Sequence, residues 1–217
     1  MARVDVLLER IEMQATGLVG AYQRDLQAQR VSDDLLYAVR SLVQDCQSAL
    51  DWTASDIAKT YLKPRRPYFP LVRNPADFPE ALDKQLKGLA AGYPAIADAI
   101  ERHQPYQLAK ASLGYLHALA RVNKHEDFVP QTRHESPRFE QRVGGVSVSW
   151  APGTVTVGPG AKVTVGGRPF GDPVTTRHVV YVDWRFADPP ISVLPTLQDL
   201  SRLVRDAVRE VRQVAAL

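Results

Sequence analysis

Along the first part of the chain, Val4, Leu7, Leu8, Ile11, Ala15, Leu18 or Val19, Tyr22 and Leu26 recur at steps of three and four residues. That spacing gathers them on one stripe of an amphipathic helix. Gly17 and Gly20 fall inside it, each costing roughly 1 kcal/mol against alanine. They predict either a bend or the close approach of another helix. Ser32, followed by Asp33 and Asp34, starts a second helix, because its hydroxyl can accept from the first-turn N–H groups and the acids suit the positive end of the dipole. The stripe Leu35, Val39, Leu42, Val43, Cys46, Ala49, Leu50, Thr53 and Ile57 makes this helix about as long as the first. The two are expected to pack antiparallel.

Between Lys63 and Pro79 the prolines Pro64, Pro67, Pro70, Pro75 and Pro79 forbid a continuous helix. Tyr68, Phe69, Leu71, Val72 and Phe78 are too apolar to leave in water, so the segment reads as an ordered crossover. Shorter helices follow over Pro75–Leu89 and Pro94–His103, each opened by a proline, and Gln104-Pro105-Tyr106 ends the second. Leu108, Ser112, Tyr115, Leu116 and Leu119 carry the helical period to about His125, and Pro130 closes it.

The period then changes to two. Val146, Val148 and Trp150 alternate with Ser147 and Ser149; Val155 with Val157 and Val163 with Val165 follow; and Val180, Val182, Trp184 and Phe186 mark a longer strand from His178. Ala151-Pro152-Gly153, Gly158-Pro159-Gly160 and Gly166-Gly167 are the turns of an antiparallel meander. A lone hairpin is marginal in water, so its apolar face should lie on the helices or on a second copy of the chain in a homodimer. After Asp188-Pro189-Pro190, a last helix carries Leu197, Leu200, Leu203, Val204, Ala207, Val208 and Val211.

The pattern therefore predicts an α+β protein, mainly α: a helical bundle with an antiparallel β-hairpin or meander insert before the C-terminal helix. It reads as one domain over 1–217, with a helical body at 1–130 and 191–217 and the insert at about 140–186. The segment Met1–Gln14 is interrupted by Asp5, Glu9, Arg10 and Glu12, unlike a signal peptide, and no stretch is apolar enough to span a bilayer. The expected location is the cytoplasm, with no membrane partner.

The net charge of +3 is a mild excess that gives faint support to a nucleic-acid partner. Arg202, Arg205, Arg209 and Arg212 form a row on the last helix, but Asp206 and Glu210 lie among them at pairing distance. The single cysteine, Cys46, excludes an internal disulfide and a multi-cysteine zinc site; on the buried stripe it reads as a small hydrophobe.

Candidate chemistry concentrates in two places. His117, Arg121 and His125 follow one another at four-residue steps with Lys124 alongside, making one basic stripe. In a catalytic reading His125 moves a proton near neutral pH while Arg121 or Lys124 stabilises charge on a phosphate; otherwise the stripe is a solvated face. Asn123 falls on the side of Leu116, Leu119 and Ala120, where a buried amide needs partners. On the second helix Arg40, Gln44, Gln47 and Asp51 form a polar row that faces either a cleft or solvent. His117 and His125 are about 12 Å apart along a helix, too far to share an ion. No metal and no cofactor are expected, and the glycine-rich turns lack the Gly-Lys-Ser or Gly-Lys-Thr of a phosphate loop.

Several short segments resemble a family of bacterial proteins of similar length that has no assigned activity. Ser48-Ala49-Leu50-Asp51-Trp52 is similar to its Ser-Ala-Leu-Asp-His, Phe69-Pro70-Leu71 to its Phe-Pro-Ile, and Gln104-Pro105-Tyr106 matches its Gln-Pro-Tyr. Leu116 through Leu119 to Asn123-Lys124-His125 resembles its leucine-spaced helix ending in Asp-Lys-His-Arg. Trp52 replaces the family's histidine, Asn123 its aspartate and Glu126 its arginine. More distantly, the chain resembles HEPN helical domains, whose active members are metal-independent ribonucleases with an arginine, four to six residues and a histidine. Arg121 and His125 enclose three. Two functions follow as expectations: a binding module with a cleft between the second helix and the Leu108–His125 helix, closed at one end by the Phe69–Tyr106 segment, or a dimeric HEPN-like endoribonuclease.

Overall fold

A computed structural model describes residues 3–63, 66–125, 131–152, 154–155, 163–187 and 189–217, with the side chains of 122–125, 131–133 and 179–181 outside that description. The fold is α+β and mainly helical, with a small antiparallel sheet before the C-terminal helix. The chain forms two compact units: Met1–Gln131 with Phe186–Leu217, and Thr132–Arg185.

In the helical unit, α1 (Arg3–Ala28) and α2 (Asp33–Tyr61) are joined by a tight turn. Ser32 caps α2 as its position predicts, its hydroxyl accepting from Leu35 N at 3.2 Å. Asp25 fixes the turn from the other side, accepting from Ser32 N at 2.6 Å. The guanidinium of Arg3 lies over the Trp52 ring, Arg10 pairs with Asp45, and Gln14 donates to Ser41 Oγ. One sequence number rises as the other falls in equal steps, which is the register of an antiparallel pair.

α1 runs through Gly17 and Gly20 as one helix, and among the described residues no other helix approaches either glycine closely. A Cβ built on Gly17 would meet nothing within 4 Å, and one on Gly20 only the flexible Arg24 side chain at 3.7 Å. Burial of the surrounding stripe, Leu18, Ala21 and Tyr22, outweighs the propensity cost of the glycines.

α2 is the hub, packing against α1, against α6 (Leu113–His125) and against α7 (Val193–Val214). Its stripe from Leu35 to Ile57 is buried, as is that of α7 from Leu197 to Val211. Each buried leucine contributes roughly 1.5–3 kcal/mol relative to exposure. Burial also pushes the Cys46 thiol far up, so it stays protonated and inert.

The connecting region is more broken than its prolines suggest. A 3₁₀ turn (Pro75–Asp77) leads into α3 (Phe78–Gln85), and Gly88, at φ +85°, separates it from α4 (Leu89–Gly92) and α5 (Pro94–Glu101). Turns then delay α6 to Leu113 instead of Leu108, with Ala109 at φ +58° and Leu108 exposed. In the crossover Phe69 and Phe78 are buried as expected, but Tyr68 is 62% exposed.

In the second unit, β1 (Gln131–Val143) starts well before the predicted edge of the insert. It pairs antiparallel with β2 (Val146–Trp150), Phe139 opposite Trp150 and Val143 opposite Val146. The long β5 (Thr176–Phe186) lies on the other side of β1, giving the order β2-β1-β5. A separate hairpin joins β3 (Thr164–Val165) to β4 (Arg168–Pro169). Its turn, Gly166-Gly167, has φ of +54° and +82°, the double left-handed geometry of a type I′ turn. A Cβ on Gly166 would also stand 2.8 Å from the Val143 backbone oxygen, so glycine is required there twice over.

Candidate functional site

The polar row of α2 faces a cleft in the helical unit. Gln44, Gln47, Ser48 and Asp51 from α2, His117, Ala120 and Arg121 from α6, Ala81, Lys84 and Gln85 from α3, and the crossover residues 68–71 enclose about 590 Å³. Gln44 ties the two walls together by donating to Ala120 O at 3.0 Å.

The crossover wall is held by side chains rather than by a backbone ladder. Asp51 Oδ1 accepts from Phe69 N at 2.9 Å while its Oδ2 accepts from Gln47 Nε2 at 3.0 Å. Gln104, fully buried, donates to Pro70 O at 2.8 Å and accepts from Val72 N at 3.0 Å. Gln85 accepts from Tyr68 N at 3.0 Å. The segments around Asp51, Phe69-Pro70 and Gln104 therefore meet: the first and the last supply the groups that bind the backbone of the second.

The electrostatics follow from burial. Loss of water raises the Asp51 carboxyl above its ordinary range, while the bonds from Gln47 and Phe69 and the nearby His117 act the other way. Loss of water around the ring lowers the His117 imidazole although the residue as a whole is exposed, with Asp51 opposing the shift. The shift favours the neutral imidazole, which can accept or donate one proton. No hydrogen bond among the described residues joins Ser48, His117 and Asp51 into a nucleophilic triad.

Of the residues singled out from sequence, Gln44, Gln47, Asp51, His117 and Arg121 line the cleft. Arg40 is half-buried on α2 and is not among the lining residues. Asn123, Lys124 and His125 belong to the last turn of α6, and their side chains lie outside the described residues. Lys84 and Gln85 were not singled out as site residues, and Tyr68 was read only as an apolar residue of the crossover. They come from α3 and the crossover, and only the apolar residues of that crossover gave a signal that it packs on the helices.

Three of the four arginines in the α7 row have acidic partners. Arg202 pairs with Asp199 and Asp206, Arg205 with Glu12 at 2.7 Å, and Arg212 with Asp56 at 2.9 Å. A second polar cluster ties α5 to α7. Buried His103 meets Glu210 through Nε2 at 2.7 Å and Lys110 Nζ through Nδ1 at 3.0 Å, and Arg102 also pairs with Glu210. An ammonium can only donate, so Nδ1 accepts and Nε2–H donates to the carboxylate. Burial lowers the His103 imidazole accordingly.

Among the described residues, no group of three or more His, Cys, Asp or Glu gathers as metal ligands would, and no helix is long and apolar enough to cross a membrane. No family model, curated protein or solved structure matches the chain.

Proposed function

We propose that this chain is a helical binding module that takes a small anionic molecule in the cleft between α2 and α6. The observation that carries the reading is convergence: polar side chains from α2, α3 and α6 share one cleft, with Lys84 and Arg121 as cations. Concave sites with a few directed polar groups are where small ligands bind. An arginine at the wall suits a carboxylate or phosphate, which it can grip through two parallel N–H bonds.

The test is calorimetric titration with a panel of small carboxylates and phosphates, on the native chain and on Arg121→Ala and Lys84→Ala. At least one compound should bind with a dissociation constant below about 1 mM and lose about tenfold in each variant. A panel without a binder, or a binder indifferent to both changes, ends the reading.

A HEPN-like ribonuclease is the second reading, favoured by the placing of His117 and Arg121 at one cleft on the helix that ends in Lys124 and His125. It expects cleavage of single-stranded RNA that survives EDTA and disappears in His125→Ala with little change in melting temperature. Pure protein that leaves RNA intact sinks it.

A further inference from the structure

A second cleft, of about 640 Å³, lies on the other side of Asp51 and Tyr68, which line both. Its walls carry three exposed cations, Arg3, Lys59 and Arg66, together with Trp52 and the exposed ring of Tyr68. Two acids also line it, and both are engaged. Asp51 spends its oxygens on Phe69 N and Gln47, and Asp56 holds Arg212 at 2.9 Å with Lys59 at 4.0 Å. Arg3 and Arg66 have no acidic partner among the described residues.

The arrangement of Arg3 is the informative part. Its guanidinium carbon sits 3.3 Å from the centroid of the Trp52 ring. Stacking fixes the plane of the fork without using its N–H groups, which remain for an anion with two oxygens. Arg66 adds a second fork at the same cleft, and two guanidinium groups suit the several oxygens of a phosphate. Tyr68, 62% exposed between the clefts with no ring stacked on it among the described residues, offers a flat apolar face beside them.

We propose that this second cleft binds a phosphorylated aromatic molecule of the nucleotide class, its phosphate on Arg3 and Arg66 and its ring on Tyr68. The site adjoins the α2–α6 cleft and shares Tyr68 with it, but neither cation of that cleft takes part.

Calorimetry at low salt with adenosine 5′-monophosphate tests it on the full chain. The nucleotide should bind with a dissociation constant below about 1 mM. Arg66→Ala and Arg3→Ala should each weaken it about tenfold, and Tyr68→Ala roughly fivefold or more. Lys87→Ala, an exposed lysine outside the cleft, should leave it unchanged. Adenosine and inorganic phosphate should each bind at least about tenfold more weakly than the nucleotide, since each keeps one half of the contacts. Arg66 and Tyr68 are exposed, so their variants keep the fold. Absence of binding overturns the proposal, as does a nucleotide no tighter than phosphate alone. So does binding that Arg121→Ala weakens while Arg3→Ala and Arg66→Ala do not, since the ligand would then occupy the other cleft.

Discussion

Two buried glutamines, one in each unit of the chain, solve the same problem. Gln104 donates to Pro70 O and accepts from Val72 N; Gln141 donates to Pro169 O at 2.7 Å and accepts from Gly171 N at 3.0 Å. In both, the side-chain amide clasps the carbonyl of a proline and the N–H two residues later, as a neighbouring strand would. Proline supplies no N–H and resists regular structure, so the chain around it cannot satisfy its own backbone. A buried amide, with donors and acceptor on one rigid group, does so instead. What differs is the setting. Each amide makes a third bond, Gln104 donating to Ile100 O and Gln141 to Thr175 Oγ1, both at 3.1 Å, but Pro70 is buried whereas Pro169 and Gly171 are exposed.

Replacing Gln104 by leucine gives the largest effect. It strands Pro70 O and Val72 N at the wall of the α2–α6 cleft, and each unsatisfied group costs about 1–3 kcal/mol when water cannot reach it. A loss of roughly 3 kcal/mol in denaturant unfolding is expected, with faster hydrogen exchange at Phe69 and Val72. A variant within about 0.5 kcal/mol of the native chain would show that the clasp is incidental.

Gln141→Leu should cost less, about 1 kcal/mol, because water can replace the lost partners. Its effect should also be confined to the β unit: exchange quickens at Gly171 and through β1, with the amides of α2 and α7 unchanged. Equal protection loss in both units would remove the distinction between the two clasps.

How much of this was legible in the sequence depends on distance along the chain. The stripes of α1, α2 and α7 and the cap at Ser32 repeat every few residues and were readable. So was the Gly166-Gly167 turn, since a type I′ turn needs its glycines locally. The start of β1 was not, because 131–138 is polar and charged and holds Pro137, with no alternation to betray a strand. Neither glycine interrupted α1, as packing decided what propensity could not. The clasps join residues about thirty positions apart, which no local pattern encodes. At the cleft, the polar row of α2 and the basic stripe of α6 were visible as rows. Their facing each other across Lys84 and the crossover was set by tertiary packing.

Asp51 sharpens the comparison, since it supports the same crossover with a charge. Its raised carboxyl means that folding favours the protonated form. Its titration therefore adds stability fully below the ordinary carboxylate range, and this is lost as pH rises through the raised value. Asp51→Asn keeps an acceptor for Phe69 N and removes the charge. It should hold stability at pH 7 within about 1 kcal/mol and flatten that stretch of the pH profile, whereas Asp51→Ala leaves Phe69 N unpaired and costs about 1–3 kcal/mol. Melting temperatures from pH 4 to 8 check this, and an Asn variant as damaged as the Ala variant would mean that the charge itself is needed.

Gln85 should show the smallest effect, although on paper it makes the same kind of bond. It accepts from Tyr68 N at 3.0 Å, one residue before the Asp51 bond and two before the carbonyl that Gln104 holds. Tyr68 is exposed, so water can take over its N–H once the glutamine is gone. Nor is the segment released, because Asp51 and Gln104 still fix Phe69, Pro70 and Val72. Gln85→Ala should therefore change stability by less than about 0.5 kcal/mol, since only the net worth of one solvent-accessible bond is lost. Exchange should quicken at Tyr68 alone, leaving the Phe69 and Val72 amides as protected as before. If that change instead loosens Phe69 and Val72 together, the crossover is held cooperatively from its exposed end, and the buried clasp of Gln104 is not what sets the wall of the cleft.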